Sequence, residues 1–437
     1  MAGNQQPTGL SAGSDESGAP RKLPRRGLLF GGAAAGLGAL AAAGAHLAGA
    51  GSQQPGSPAP AEAEAEAEAE AEAEAEESLH GGGVVPFHGD RQAGITTAAQ
   101  AHGVFVALDL RPGTTRAKVK ALLRLLSDDA ANLCAGKPAL ADTEAELAQV
   151  PARLTVTFGF GPGLVAAVDP ARAPGWLKPL PAFSIDRLQP EFSDGDLLLQ
   201  ICADDPLTVA HAQRMLLKDS RSFATVRWVQ TGFRRSNGSE KSGTTMRNLF
   251  GQVDGTSNPA PDSTDHERVV WGGGDIPAWT ENGTSVVIRR IAMNLDKWDE
   301  VDRVGREESV GRRLSNGAPL TGTHEHDEPD LAAVSKLGFP VISDVSHLRR
   351  ARPEDSSQRI FRRAYNYDAA PGAGGVSDSG LIFVSYQADV DRQFTPIQRR
   401  LDEMDMLNQW TTPVGSAVFA IPPGCREGGF VGDGLFA

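Results

Sequence analysis

Cysteine is scarce in this sequence. The chain of 437 residues contains three cysteines, Cys134, Cys202 and Cys425, which are far apart and form no Cys-x-x-Cys pair. An odd number excludes a framework in which every cysteine is bridged. One disulfide is compatible with an oxidising compartment, but we expect Cys134 and Cys202 to be buried as small hydrophobic residues. The fold must therefore depend on its hydrophobic core, for which 40% of the residues are available.

Basic residues are also in deficit. The 42 Lys and Arg residues face 55 Asp and Glu residues, which gives a formal net charge of −13. Residues 51–77 contain nine glutamates and no basic residue, so the part of the chain that follows them is only mildly acidic. A basic surface is what nucleic-acid backbones require. We therefore expect no nucleic-acid partner.

Strongly hydrophobic runs are the third shortage. Residues 28–50 are mostly Ala and Gly, a weak composition for a permanent membrane span. They follow the pair Arg25-Arg26, the pattern of a twin-arginine export signal, and they contain small residues typical of a cleavage site. We expect residues 1–50 to be a signal peptide read by the twin-arginine export machinery, with an uncleaved membrane anchor as the alternative. The protein would then be periplasmic, bound to the cell envelope or extracellular.

A low-complexity segment follows this signal. Residues 53–60 are rich in Pro, Gly and Ser, and the pair Ala-Glu then repeats eight times over residues 61–76. Like charges four residues apart weaken an isolated helix. Residues 51–80 are therefore predicted to be a disordered tether, and residues 81–437 a folded domain.

The folded part begins with one pattern of strands and helices. Apolar strands are predicted at 104–110, 154–158, 197–202 and 224–231. Between them, a helix face recurs at Val119, Leu122, Leu123 and Leu126, and residues 207–217 also have helical spacing. The order β-α-β-β-α-β is that of a ferredoxin-like unit.

The second half repeats this pattern with longer insertions. Strands are predicted at 285–293, 359–365, 381–386 and 417–421, and helices at 295–304 and 394–404. Two such units, at about 100–235 and 284–425, can pair their sheets around a shared core. The predicted class is α+β, with duplicated ferredoxin-like units and a pocket between sheets and helices. The polar insertion at 305–355 is of a kind that is often functional.

One segment between the halves carries a recognisable motif. Residues 247–259 read Arg-Asn-Leu-Phe-Gly-Gln-Val-Asp-Gly-Thr-Ser-Asn-Pro, with Asp254 between Gly251 and Gly255. Glycines allow a backbone to approach a flat ligand closely, although an Asp-Gly pair alone is usually only a turn. The segment resembles the signature of the dye-decolourising haem peroxidases, Gly-x-x-Asp-Gly within an Arg-Asn-Leu-x-Gly context.

The resemblance extends over roughly residues 84–437. Further similar segments are 92–95, 317–322, 362–365 and 421–424, together with His347. With the export pattern, the ordered set most resembles the exported branch that includes deferrochelatase-type iron-uptake proteins. The family's fold is a pair of ferredoxin-like units, in agreement with the pattern read from the strands and helices.

The resemblance implies one haem b per chain and a set of site residues. His347 matches the proximal iron ligand, Asp254 the distal acid–base group and Arg362 the distal arginine, while Gly255 and Thr256 would contact the cofactor together with Arg362. A neutral imidazole is a standard axial ligand of haem iron. A carboxylate can move the proton of peroxide, and a guanidinium can stabilise the charge that separates along the O–O bond.

Neighbouring residues compete for two of these roles. Arg362 and Arg363 point to opposite faces if they lie on a strand, so only one can reach the pocket, and the resemblance favours Arg362. An iron-ligating histidine usually donates its other N–H to an acceptor. Asp402, Glu403 and Asp405 are the candidates for that acceptor, and the sequence leaves the choice among them open.

Two other groups of residues have alternative roles. His324 and His326, with Glu325 and Asp327, could bind a divalent metal, but their spacing indicates no third, distant ligand. Four aromatic residues could carry electrons to the haem, although buried aromatics more often belong to the core. These four are Trp410, Tyr365, Tyr367 and Tyr386.

Three functions follow from the resemblance. The first is a peroxidase that reduces hydrogen peroxide and oxidises bulky phenolic or dye-like reductants. The second is a deferrochelatase that releases iron from haem with the porphyrin intact, with iron-uptake components as partners. The third, a haem-binding or carrier protein, is disfavoured because holding haem requires neither Asp254 nor Arg362. A homo-oligomer is compatible with all three.

Overall fold

The structure, a computed structural model, describes residues 80–271, 276–372 and 375–437. The predicted export signal and nearly all of the predicted tether lie outside these residues. Within the described part, the chain forms nine β-strands and eight α-helices. None of the helices described there has the length and apolar character needed to cross a membrane.

The strands are β1 (His102–Leu110), β2 (Thr155–Phe160), β3 (Leu197–Ala203), β4 (Ala224–Phe233), β5 (Thr284–Met293), β6 (Phe361–Arg362), β7 (Tyr365–Ala369), β8 (Asp378–Gln387) and β9 (Thr411–Ile421). The α-helices are α1 (Arg116–Cys134), α2 (Pro162–Val168), α3 (Pro206–Ser220), α4 (Thr264–His266), α5 (Leu295–Asp299), α6 (Arg303–Val310), α7 (His347–Ala351) and α8 (Thr395–Met404). Short 3₁₀ and π turns connect several of them.

The first half of the domain forms one antiparallel sheet with two helices against it. Its strand order is β2-β3-β1-β4, as expected for a ferredoxin-like unit. Helix α1 begins at the cap Thr115, whose side chain accepts a hydrogen bond from Lys118 N. The predicted helix face of Val119, Leu122, Leu123 and Leu126 is completely buried. Both faces of β2 and β3 are buried as well, because helices cover one side and the second half covers the other.

The second half repeats the arrangement, with strand order β9-β5-β8-β7 and the two-residue strand β6 also paired to β8. The sheets of the two halves then join at both edges. Phe160 of β2 pairs with Ala420 of β9, and Phe233 of β4 pairs with Asn366 of β7. These two junctions close the strands into a barrel, and closure removes the unpaired sheet edges. The predicted α+β class with duplicated ferredoxin-like units is confirmed.

Two predicted elements differ from the structure. The helix predicted at 295–304 is wrong, because α5 ends and α6 starts from a new cap, in which Asp302 accepts a hydrogen bond from Gly305 N. The strand predicted at 359–365 is interrupted between β6 and β7. The three cysteines are all buried free thiols, so the predicted burial of Cys134 and Cys202 is confirmed and the disulfide that was left open does not form.

A buried pair of acids lies between α1 and α3. Asp129 is fully inaccessible, and its Oδ1 accepts a hydrogen bond of 2.8 Å from Leu140 N. The Oδ2 atoms of Asp129 and Asp219 are both buried and have no donor in the described chain. Burial, followed by the hydrogen bond and the charge of Asp219, raises the pKa of Asp129 to about 6. Asp129 therefore keeps its proton to a higher pH than an exposed aspartate does.

We expect Asp129 to contribute more to the stability of the fold in acid than at neutral pH. Folded Asp129 keeps its proton above pH 4, where the same group in the unfolded chain has lost it, so its contribution is lost as the pH rises to about 6. Asp129→Asn imitates the protonated form, and we expect it to raise the free energy of unfolding at about pH 7.5 by about 3 kcal/mol and to change it little at about pH 4. Urea denaturation at both pH values measures this. Asp128→Asn, at the exposed neighbouring position, is the control of equal charge. Equal effects of the two variants would contradict the prediction.

Candidate active site

A cavity of about 700 Å³ opens between the helices and the second sheet. Its lining comes from the loop that contains residues 248–258, from strands β5, β6 and β8, and from helices α7 and α8. Leu381, Phe383 and Ile291 make part of the wall apolar, and Asp254, Arg362 and His347 reach it as polar groups. Its size and mixed lining are typical of a cofactor site.

A small hairpin positions Asp254. Arg247 and Val253 form an antiparallel bridge, and the side chain of Asn248 accepts hydrogen bonds from the backbone N–H groups of Phe250 and Gln252. Gly251 lies at the turn with φ of +80°, a conformation that favours glycine. Asp254 N then donates to Met246 O at 2.8 Å. The carboxylate is thus held by a turn that the local sequence defines.

Asp254 forms a salt bridge with Arg362 across 108 residues of sequence. Arg362 Nη1 donates to Asp254 Oδ1 at 2.6 Å, and Asn248 Nδ2 donates to Asp254 Oδ2 at 3.3 Å. Asn258 binds the backbone of Arg362 twice, since its Nδ2 donates to Arg362 O and its Oδ1 accepts from Arg362 N. The loop and β6 are therefore fixed to each other at the cavity wall.

His347 forms the second ion pair of the cavity. It is the first residue of α7, and its Nδ1 lies 2.6 Å from Asp405 Oδ2, just after the end of α8. Burial by itself would lower the pKa of His347, but the charge and hydrogen bond of Asp405 outweigh burial and raise it. The side chain keeps 33% of its surface accessible whereas that of Asp405 keeps 4%. Since Nδ1 is engaged, Nε2 is the atom available to a ligand in the cavity.

The structure shows which of the three candidate carboxylates contacts His347. Asp405 binds His347, whereas Asp402 accepts hydrogen bonds from Ser184 and Ile185, and Glu403 pairs with Arg350. The two adjacent arginines also separate. Arg362 lines the cavity, whereas Arg363 is 3% exposed and donates to Thr97 O and Gln100 Oε1 in the interior.

The remaining candidates have distinct surroundings. Gly255, with φ of +132°, and Thr256 both line the cavity, and Thr256 Oγ1 donates to Glu325 Oε1 at 2.9 Å. No group of three or more His, Cys, Asp or Glu residues able to hold a metal ion occurs in the described ranges, so the alternative metal site at His324 and His326 finds no support there.

The aromatic candidates lie mainly in the core. Tyr365, Tyr367 and Tyr386 are buried inside the barrel, which agrees with the ordinary structural role of buried aromatic residues. Trp410 packs edge-on against Trp298, with 5.0 Å between ring centroids. This contact lies in the smaller core beside Phe250.

Comparison with known proteins identifies the family. A family model described as "Dyp-type peroxidase, N-terminal" matches residues 92–234, and one described as "Dyp-type peroxidase, C-terminal" matches residues 245–426. The two matches cover well over half of the chain.

The chain belongs to the Dyp-type peroxidase family.

Individual relatives agree with this membership. The chain is 39% identical over 358 residues to the dye-decolorizing peroxidase of Thermobifida fusca, which covers 79% of this chain and 83% of that protein. It is 34% identical over 364 residues to the deferrochelatase of Escherichia coli K12, covering 78% and 84%. The crystal structure of the DyP-type peroxidase from Cellulomonas bogoriensis has a TM-score of 0.80 and 56% identity, and covers 82% of this chain and 99% of that one.

Family membership confirms three expectations from the sequence. This Dyp-type peroxidase is an oxidoreductase, its cofactor is haem, and its substrates are hydrogen peroxide and a reductant. The cavity fits that cofactor on its own evidence. It combines a large, partly apolar volume with an imidazole whose Nδ1 is bound to a carboxylate and whose other nitrogen is available, which is the donor arrangement that haem iron uses.

Several residues of the cavity were not found from the sequence. Asn258 lies in the motif, but its contact with Arg362 spans 104 residues, and nothing in the local pattern indicates it. Glu325 was considered only as part of a metal site, yet it binds Thr256. Asn248, four residues before Gln252, had a detectable signal because an Asn side chain at a turn often binds nearby backbone N–H groups.

The different surroundings of the two arginines predict different consequences of mutation. Arg363→Met leaves two buried acceptors, Thr97 O and Gln100 Oε1, without their donor. We expect it to lower the free energy of unfolding of the haem-free protein by about 3 kcal/mol. Arg362→Met should lower it by less, because the carboxylate of Asp254 that it leaves behind lines an open cavity in the haem-free protein. Urea denaturation compares them, and a larger loss in Arg362→Met would show that the assignment is reversed.

Proposed function

We propose that this chain is an exported haem peroxidase in which His347 would hold the haem iron and Asp254 and Arg362 would act on peroxide. One observation carries the proposal: the His347–Asp405 pair and the Asp254–Arg362 pair line the same cavity. Bound haem supplies the iron at which peroxide is reduced and the reductant oxidised.

His347 would hold the cofactor through Nε2. The hydrogen bond from Nδ1 to Asp405 fixes the orientation of the ring and makes the imidazole a stronger donor. Gly255 and Thr256 would lie against the cofactor, because both line the cavity beside Asp254. The positive φ of Gly255 lets the backbone approach a flat ring closely.

Asp254 would carry the proton of peroxide. Its carboxylate accepts hydrogen bonds from Arg362 and Asn248, which orient both oxygens. A proton taken up at this carboxylate from one peroxide oxygen can be returned to the other, assistance that is typically worth about 10²–10⁴-fold. Arg362, fixed by Asn258, would stabilise the negative charge on the departing oxygen.

The proposed class of reductant is inferred from the names of related proteins. A relative at 39% identity is named a dye-decolorizing peroxidase, and we infer that bulky phenolic or dye-like compounds serve as reductants. A relative at 34% identity is named a deferrochelatase, and this supports iron release from haem, with iron-uptake components as partners, as the second candidate. Product analysis after incubation with haem separates the two, since free protoporphyrin and iron indicate the second. A protein that only carries haem would not require the Asp254–Arg362 pair.

The cellular setting is part of the same proposal. Residues 1–50 would be a twin-arginine signal peptide, residues 51–80 a tether and residues 81–437 the peroxidase domain. The arginine pair supports this, and export of folded cargo suits a protein that takes up its cofactor before export. The mature protein would be periplasmic, envelope-bound or extracellular.

Replacement of Asp254 tests the catalytic assignment. Asp254→Asn keeps the shape but cannot take up a proton, and we expect the change in haem absorption after mixing with peroxide to become about 10²–10⁴-fold slower while haem content is unchanged. Stopped-flow spectroscopy measures the rate. Asp344→Asn, an exposed carboxylate paired with Arg349, is the control. A wild-type rate in Asp254→Asn would refute the role.

Replacement of Asp405 tests the axial-ligand assignment. Asp405→Asn removes the charge behind His347, and we expect haem affinity to fall about 10–100-fold and the iron–histidine vibration of the reduced protein to weaken. Asp402→Asn, three residues away, should leave that vibration unchanged because Asp402 binds the loop at Ser184 instead. Resonance Raman spectroscopy gives the readout. Equal shifts in both variants would rule out a specific role of Asp405.

Replacement of the arginine pair tests the export route. The export machinery reads Arg25-Arg26 as an address and not as generic positive charge. We expect the double variant Arg25→Lys, Arg26→Lys to accumulate in the cytoplasm, with Lys22→Arg as a control exported like the wild type. Cell fractionation and immunoblotting follow the protein. Normal amounts of the double variant outside the cytoplasm would exclude this route.

A further inference from the structure

A second, smaller chamber adjoins the main cavity. Its volume is about 140 Å³, and it shares Asp254, Gly255 and Arg362 with that cavity. Arg234, Thr244 and Thr245 line the chamber but not the main cavity. The chamber is too small for a haem or an aromatic reductant, but it has room for an ion of a few atoms.

Arg234 brings a positive charge to this chamber without a matching carboxylate. It follows directly after β4, and its Nε donates to Ala364 O at 2.8 Å while its guanidinium lies over the ring of Tyr365, 4.9 Å from the centroid. Among the salt bridges of the described chain, the only one that involves a chamber residue joins Asp254 to Arg362. The guanidinium of Arg234 therefore has no carboxylate partner within the described part of the chain.

The charge imbalance extends to the neighbouring arginine. Arg363 is buried on the other face of the same strand region, and its two acceptors are neutral. Arg234 and Arg362 line the chamber together, and Arg363 follows Arg362 in the chain. Among the described residues that line the chamber, Asp254 is the one carboxylate, and it is already bound to Arg362. Burying a cation without a partner is costly. A small anion from solution would offset this cost.

We propose that the chamber is a binding site for a small monoanion of the size of a halide, nitrate or formate, held by the guanidinium of Arg234. The hydroxyl groups of Thr244 and Thr245 line the same chamber and can donate to an anion. The occupant lies beside Asp254 and Arg362, so its charge acts on the pair that the proposed function uses. The binding itself does not depend on the roles proposed for Asp254 or His347.

Bromide is the probe that tests this site. The haem-loaded protein is first saturated with cyanide, so that bromide cannot bind the iron, and the melting temperature is followed as bromide replaces gluconate, an anion too bulky for the chamber, at constant ionic strength. We expect a saturable rise. Arg234→Met should weaken the apparent affinity at least about tenfold, while Arg234→Lys keeps the charge and part of the effect. Crystals of the same protein in bromide should show anomalous scattering beside Arg234.

The chain supplies its own control in the next residue. Arg235 is an arginine on the surface, paired with Glu240 at 2.8 Å and 64% exposed, and Arg235→Met should retain the wild-type response to bromide. Equal responses in Arg234→Met and Arg235→Met would overturn the proposal. Ordered water alone in the chamber of bromide-soaked crystals would also overturn it and would make the chamber a solvent passage. Haem content and the reaction with peroxide, measured on the same samples, report separately on the proposed function.

Discussion

The site depends on the way side chains alternate in direction along the strand region that contains Arg362. Pairing of β6 with β8 places Arg362 opposite Ser385, and side chains of adjacent strand residues point to opposite faces. Arg362 therefore reaches the cavity while Arg363 enters the interior. A shift of register by one residue would exchange them, leaving Asp254 without its partner and exposing the buried acceptors of Arg363. Strand β7 continues the same stretch of chain and pairs with β8 and, at Asn366, with β4, and these pairs oppose that shift.

Barrel closure also explains why the cavity lies where it does. The interior of the barrel is filled by buried side chains from both halves, with Phe105, Tyr365 and Phe419 among the largest, so it offers no room for a cofactor. Helices cover the first sheet closely, whereas the long connections of the second half leave space between its sheet and α7 and α8. Residues 305–355, predicted to be a functional insertion, supply His347 and part of the cavity wall.

Much of the fold could be predicted because it depends on local periodicity. The helix face from Val119 to Leu126 and the strands of both halves follow spacing that burial enforces. The elements that were predicted wrongly depend on single contacts, such as the cap at Asp302 that separates α5 from α6. The junctions Phe160–Ala420 and Phe233–Asn366 could not be derived, since each joins residues more than 100 positions apart and rests on one pair.

The site shows the same division between local and long-range information. The motif around Asp254 and the position of His347 could be found from sequence by resemblance, but the choice of Asp405 over Asp402 could not. Three residues separate these carboxylates, which in a continuing helix would place them on the same face. Helix α8 ends between them, at Met404, and Asp405 takes an extended conformation and caps the next turn. Because the helix ends there, Asp405 contacts His347, whereas Asp402 contacts the loop at Ser184. The position of the helix end therefore determines which carboxylate binds the histidine.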